Sequence, residues 1–236
     1  MAVALAGQLK EGTKKSHTMA ENTGFVACFL KGVVEKTSYR KLLSDLYFVY
    51  KAMEDEIDRL VKEDHPVIKH IGFKELFRTE TLENDLKFYY GQNWINEISI
   101  SDSAKLYVNR IHQVANESPE LLVAHHYTRY IGDLSGGQIL KKIAKKALNL
   151  EGENGLNFYE FKMIEDEKKF KESYSNTLNQ LPIDQKIADN IVDEANKAFT
   201  YNMQMFKELE GNLIGVLGKI VFNFITKKVR KGSTEQ

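Results

Sequence analysis

The chain has 236 residues, 42% of them hydrophobic, with three prolines and 15 glycines, a composition that suits one globular domain with a full core. Lysine plus arginine equals aspartate plus glutamate at 33 each, so the global charge gives no reason to expect nucleic acid, and any electrostatic signal has to be local. A single cysteine, Cys28, excludes an internal disulfide, and the N-terminal apolar run is too short for a signal peptide, so a reducing cytoplasm is the expected location and the core the expected place of Cys28.

Helical periodicity dominates from the first segment on. In "LAGQLKEGTKKSHTMAEN", Leu9, Thr13 and His17 share one stripe, Lys10 lies two turns before His17 and within about 20° of it, and Glu21 lies one turn after. A cation, an imidazole and a carboxylate thus share a face. A metal-ligating histidine needs an acceptor for its other ring nitrogen, which Glu21 can supply, and a planar ligand bearing carboxylates needs a cation, which Lys10 can supply. The plain alternative is a solvated helix with an accidental pairing, and this segment alone does not decide between them.

From Thr37 the sequence "TSYRKLLSDLYFVYKAMEDEIDRLVKE" places Leu42, Leu46, Tyr50, Met53, Ile57 and Leu60 at alternating three and four spacing, which predicts one long helix with a continuous buried face. "SDSAKLYVNRIHQVANE" opens a helix with a Ser101 or Asp102 cap, and "SPELLVAHHYTRY" opens another with Ser118 and Pro119. The next segment, "YTRYIGDLSGGQILKKIAKKAL", is helical in pattern but carries Gly132, Gly136 and Gly137, each costing about 1 kcal/mol relative to alanine. Gly132 and Gly136 are one turn apart, so with Gly137 they clear side chains from a patch of helix surface and let the helix bend. Tight helix packing would also explain them; it explains the adjoining acid, Asp133, poorly, because buried acids need partners or a task.

"IDQKIADNIVDEANKAFTYNMQMFKELEG" reads as a helix that stops at Gly211. The stretch 213–231 is interrupted by Lys219 and Asn223 and is too short and polar to span a membrane; it is expected as an amphipathic helix packed on the body, with a frayed basic tail. No segment alternates as a strand, and no repeat or linker divides the chain. The expectation is an all-α single domain of eight or nine helices over residues 1–211, followed by the terminal helix and tail over 212–236. Of six histidines, none follows a glutamate at the spacing of a carboxylate di-iron bundle, and Cys-x-x-Cys, HExxH and phosphate-cradling motifs are absent.

Taken together, "KEGTKKSHTMAENTGF" and "YTRYIGDLSGGQILKKIAKKAL" resemble heme oxygenase, and "SDLYFVYKAMEDEIDR", "ELLVAHHYTRY" and "NKAFTYNMQMFKELE" extend the resemblance in the right order over roughly residues 5–209. The resemblance implies a multi-helical fold with heme sandwiched between a proximal and a distal helix. It makes His17 the ligand of the heme iron and Glu21 the carboxylate that orients it. Gly132, Gly136 and Gly137 become the distal glycines that let backbone lie over the porphyrin. Asp133 becomes the distal aspartate that holds a water network together with Tyr50, Arg129 and Asn202. Lys10, Tyr127 and Lys171 correspond to contacts of the heme propionates, Phe199 and Phe206 to pocket-wall aromatics, and His125 and His126 to structural positions. One departure stands out: Ser175 occupies the position, four residues after Lys171, where the family commonly has an arginine. Arginine binds carboxylates bidentately, so the serine puts the in-plane seating of heme, and with it the α-meso selectivity, in doubt.

The implied reaction converts heme, O2 and electrons to biliverdin, carbon monoxide and ferrous iron. No flavin or nicotinamide fingerprint is present, so the electrons come from another protein. The overall form resembles the soluble cyanobacterial and plastid branch, in which ferredoxin supplies them, and the basic stripe Lys141, Lys142, Lys145 and Lys146 is a candidate dock for such an acidic donor. The alternative is a heme carrier or sensor without turnover, in which Asp133 and its network would have no task.

Overall fold

The computed structural model describes the backbone of residues 3–232 and the side chains of residues 3–210. Among these residues the regular structure is entirely helical. Eleven α-helices follow in order: α1 (Leu5–Gly12), α2 (Lys14–Glu21), α3 (Gly24–Leu30), α4 (Lys36–Lys62), α5 (Thr79–Tyr90), α6 (Trp94–Glu97), α7 (Asp102–Glu117), α8 (Leu122–His126), α9 (Gly132–Ala147), α10 (Glu167–Asn179) and α11 (Gln185–Gly232). A π-helical stretch, Tyr127–Ile131, joins α8 to α9.

The count exceeds eight or nine because two expected helices are divided. The N-terminal helix is interrupted at Thr13, whose ψ is −1° and whose hydroxyl donates to the Leu9 carbonyl at 2.7 Å. The segment expected to start at Ser118 opens with a short 3-10 turn at Pro119–Leu121 and passes through α8 into the π stretch. At the other end, α11 does not stop at Gly211: its backbone continues as helix to Gly232. A lone glycine weakens a helix without ending it when flanking residues keep the apolar period. The side chains of this extension, and residues 233–236 of the expected frayed tail, lie outside the described residues. Cys28 is half-buried and free, on α3, rather than in the core.

The centre of the molecule is α4, as its apolar spacing requires. Leu43, Val49, Tyr50, Met53 and Ile57 are wholly buried along it, and each aliphatic side chain so removed from water contributes about 1.5–3 kcal/mol. Glu35 caps its start by accepting from the Ser38 amide at 2.7 Å. Against this helix pack α5, α7, α8 and α11, while α11 also covers α1, α2 and α3. Buried polar groups tie the layers. The Asp45 carboxylate of α4 accepts from the Ser101 amide at 2.9 Å, and burial pushes its pKa up to about 6. Glu54, raised by burial, accepts from the Arg78 amide at 2.5 Å and from the Tyr130 hydroxyl at 2.9 Å.

His126 is fully buried beside Tyr174, their rings stacked at 5.5 Å, with the Tyr174 hydroxyl 2.8 Å from Nδ1. Burial lowers its pKa to about 3, so the folded protein holds it neutral. Because the unfolded chain takes up this proton near the ordinary value of 6.5, the stability it contributes is complete above that pH and is lost as pH falls toward 3. His126→Phe is expected to lower Tm at pH 7, where the Tyr174 hydroxyl loses its acceptor at a cost of about 1–3 kcal/mol. It is also expected to flatten the decline of Tm between pH 7 and pH 4; melting curves whose pH slopes match wild type would contradict this.

Candidate functional site

A cleft of about 540 Å³ opens between α2, α3, α9 and α11. One side carries Thr13, His17, Ala20 and Glu21, another Gly132, Asp133, Ser135 and Gly136, with Phe199 and Phe206 contributed by α11. His17 presents an imidazole that is 56% exposed, held at its edge by the Phe199 ring at 5.9 Å and 73°. Glu21 lies one turn on, its Oε1 3.6 Å from His17 Nδ1, too far for a hydrogen bond. Phe206 is fixed by parallel stacking on Phe25 at 5.9 Å.

The glycines divide by direction. A Cβ placed on Gly132 or Gly136 would meet no atom within 4 Å, whereas one on Gly137 would touch Tyr159 at 3.5 Å. Gly132 and Gly136 therefore keep the cleft wall bare, and Gly137, which is buried and does not line the cleft, serves packing on Tyr159. Gly132 has ordinary helical torsions, φ −61° and ψ −51°, so the residue is required there for its missing side chain and not for its conformational freedom. The departure from α geometry precedes the glycines, in the π stretch. Its insertion turns Thr128, Arg129 and Tyr130 into the interior.

Arg129 gathers the polar residues behind the cleft. Its Nη1 donates to Asn202 Oδ1 at 2.7 Å, its Nε to the Tyr50 hydroxyl at 3.0 Å, and its Nη2 to Asp133 Oδ1 at 3.4 Å. Tyr50 in turn donates to Asp133 Oδ2. The Asn202 amide is steadied by its own bond to the Ala198 carbonyl at 2.9 Å. Burial lowers the Arg129 pKa and raises that of Asp133 well above the usual carboxylate range. Only 15% of the Asp133 side chain is reachable from solvent. A carboxyl in that position retains its proton to higher pH than an exposed one, which suits exchange with water at the cleft floor.

The remaining predicted residues lie at the rim or away from it. Tyr127 lines the cleft, its phenol beside Thr13 and its pKa raised by burial. Lys171 stands at the rim, its Nζ 3.4 Å from Ser135 Oγ and 4.0 Å from Glu167, and shares with Ser175 an open acidic groove along α10 rather than the cleft. Lys10 is exposed and does not line the cleft. The basic stripe also changes. Lys141 is drawn into bridges with Glu153 and Glu160 and Lys145 pairs with Glu153 at 2.7 Å, which leaves Lys142 and Lys146 as its exposed members. Leu30 and Ile139 line the mouth while 46% and 62% exposed; in the sequence they were indistinguishable from ordinary helix-face apolar residues. His125 and His126 are wholly buried and hydrogen-bonded away from the cleft.

A bare wall of helix facing an accessible imidazole fits a flat, iron-containing macrocycle: the space that a Cβ would fill is free, and the lining is mostly apolar. Comparison with known proteins points to the same class. The sequence model of the family described as heme oxygenase matches residues 3–208. Heme oxygenase 1 of Synechocystis is 62% identical over 235 residues, covering 100% of this chain and 97% of that protein. The crystal structure of heme oxygenase-1 from that cyanobacterium in complex with heme superposes with a TM-score of 0.91, covering 94% of this chain and 100% of that one. Heme oxygenase-2 of Synechocystis, solved with heme and NO, is 43% identical and gives 0.89 over 95% and 93% of the two chains. The chain belongs to the heme oxygenase family. Its all-helical fold is that family's.

Gly136→Ala separates the two explanations of the glycines. In the heme-free protein the added methyl meets nothing and is expected to stabilise α9 by about 0.5–1 kcal/mol, raising Tm. The same methyl enters the cleft and is expected to weaken heme binding at least severalfold in a spectrophotometric titration. Unchanged affinity would return Gly136 to helix packing alone.

Proposed function

We propose that the protein is a heme-cleaving oxygenase: it opens heme at a meso carbon, α by expectation, and yields biliverdin, carbon monoxide and ferrous iron from O2 and electrons delivered by another protein. The observation that carries this reading is the single cleft that joins the His17 imidazole, the bare Gly132–Gly136 wall and the Asp133 carboxyl backed by Tyr50, Arg129 and Asn202. A carrier needs the first two features and has no use for the third.

Heme supplies the iron at which O2 is reduced and the ring carbon that is oxidised. The protein's residues do the rest. His17 would hold the iron through its imidazole, a ligand that pushes less electron density onto iron than a thiolate would. Gly132 and Gly136 let the α9 backbone come close to the ring face. Arg129 and Tyr50 hold Asp133 at the cleft floor, where its carboxyl would pass protons through water. Leu30, Ile139 and Leu140 exclude bulk water from the mouth. Tyr127 and Lys171 at the rim are the residues that would take the propionates, with Lys10 the third that the family resemblance implies. With Ser175 in the α10 groove, Lys171 is left without an arginine beside it, and the isomer of the product becomes an informative measurement.

Anaerobic heme titration followed by turnover with reduced ferredoxin and chromatography of the product tests the whole reading: the Soret band should give way to a bilin band. Asp133→Ala is expected to bind heme with near wild-type affinity while biliverdin formation falls on the order of 10²-fold; an unchanged bilin yield would remove Asp133 from the chemistry. Lys142 and Lys146, exposed just beyond the glycine wall, support docking of an acidic donor such as ferredoxin. Charge reversal at both is expected to raise the KM for ferredoxin severalfold, to reduce its salt dependence, and to leave heme binding alone.

A further inference from the structure

Helix α11 begins in the core and ends in a different chemistry. Up to Glu210 it belongs to the body: Leu209 is wholly buried, Glu208 Oε2 accepts from the Ser103 amide at 2.9 Å, and Glu210 Oε1 accepts from the Phe25 amide at 3.0 Å. The backbone then runs on as helix to Gly232, which adds about 33 Å at a rise of about 1.5 Å per residue. The sequence of this extension, "GNLIGVLGKIVFNFITKKVRKG", has no acidic residue and five cations, Lys219, Lys227, Lys228, Arg230 and Lys231. Because cations and acids are equal in number over the whole chain, residues 1–210 are left with a net negative charge. The chain therefore segregates its charge, and the cations gather next to its most apolar stretch.

The order of residues in the extension is that of a surface helix. At about 100° per residue, eight of the nine large apolar residues from Leu213 to Ile225 fall within an arc of about 180°, while Lys219, Asn223, Thr226 and Arg230 share a separate arc of about 60°. The apolar stretch is about 20 Å long, short of the roughly 30 Å hydrocarbon core of a bilayer, and Lys219 interrupts it. Such a helix lies along an interface and does not cross it. A helix packed on a protein body needs an apolar stripe of only about 100°, and pairing with a second copy brings two cationic tails together. An anionic lipid surface takes both the wide apolar arc and the cations.

The body carries a smaller element of the same kind beside the root of this helix. The first turn of α3 holds Glu210, and its far end, about 10 Å on, leaves Leu30 46% and Val33 45% exposed on either side of the exposed Lys31. Leu30 also lines the cleft mouth. One short helix thus links the start of the extension to the opening of the cleft.

We propose that residues 213–231 form a membrane-surface helix that seats the protein on an anionic phospholipid bilayer, with its apolar arc at the acyl boundary, its cations at the phosphates and the tip of α3 beside it. The proposal is independent of whether the cleft turns heme over. What it adds to that reading is a position for the cleft, next to the phase in which a flat apolar macrocycle dissolves.

The test is flotation of the full-length, heme-free protein with vesicles of phosphatidylcholine alone and with vesicles containing about one-third phosphatidylglycerol. Binding to the anionic vesicles is expected to be about tenfold stronger than to the neutral ones and to weaken severalfold as salt is raised. Ile220→Glu with Phe224→Glu is expected to abolish binding to both kinds of vesicle. Lys227→Gln with Lys228→Gln and Arg230→Gln is expected to remove the preference for anionic lipid. Both variants should keep wild-type Tm and heme affinity. A wild-type protein that does not float with anionic vesicles would overturn the proposal, as would undiminished flotation of the Ile220→Glu, Phe224→Glu protein. A lowered Tm in that variant would put the segment on the body, and a wild-type dimer that it converts to monomer in sedimentation velocity would put it on a second copy; either result overturns the proposal. If the wild-type protein makes no biliverdin, the reading of function fails while the flotation result stands.

Discussion

The arrangement depends on a guanidinium buried beneath the cleft. Arg129 is held by Asn202 from α11, shares a hydroxyl with Tyr50 from α4, and reaches Asp133 one turn on along α9. Three helices far apart in sequence are thereby fixed relative to one polar group. A charge taken this far from water persists only when its donors are matched, and an unmatched partner costs several kcal/mol. The same requirement that satisfies Arg129 therefore places the Asp133 carboxyl at the cleft floor. The π stretch at Tyr127–Ile131 is what turns Arg129 inward, at a point where an uninterrupted α-helix would bring a different set of side chains to the core.

Helix α9 is built in two halves with opposite demands. Its first turns carry glycines whose missing side chains keep the wall bare, and they give up helix propensity for contact distance. Its later turns are bolted down: Gln138 donates to the Tyr159 carbonyl at 3.0 Å, and Lys141 bridges Glu153 and Glu160. The segment receiving these bonds is itself fixed by Asp85, which accepts from the Asn157 and Phe158 amides at 2.8 Å. Stability lost at the glycine end is offset by anchoring at the other, so the helix can present backbone to a flat ligand without coming loose from the body. The lysines after the glycines consequently have two roles: Lys141 and Lys145 face loop carboxylates, while Lys142 and Lys146 face solvent.

Much of this was legible in the residues. The long helix through Tyr50 and the Ser101 cap, whose Oγ accepts from the Ala104 amide at 3.1 Å, follow from apolar spacing and capping chemistry alone. The association of His17 with a glycine-bearing helix required two separated motifs to be considered together, and the resemblance they carry. Where the linear reading and the packed structure differ, the direction of single side chains is responsible. Lys10, before the interruption at Thr13, is exposed and lies outside the cleft lining, while Thr13 and His17 line it. Gly137 was grouped with its neighbours by adjacency, yet successive helical positions point in different directions, and it meets Tyr159.

By itself the sequence determined the all-helical class, the buried stripe of α4, the residue types around the cleft and the local charge along α9. These are matters of period and chemistry, which neighbouring residues settle among themselves. Only the tertiary structure decided which lysines stay exposed, which glycines face the cleft, and how Tyr50 and Asn202 meet Arg129. Those outcomes turn on contacts between residues tens of positions apart and on the direction in which each donor points. A one-dimensional pattern does not encode either until the helices are packed.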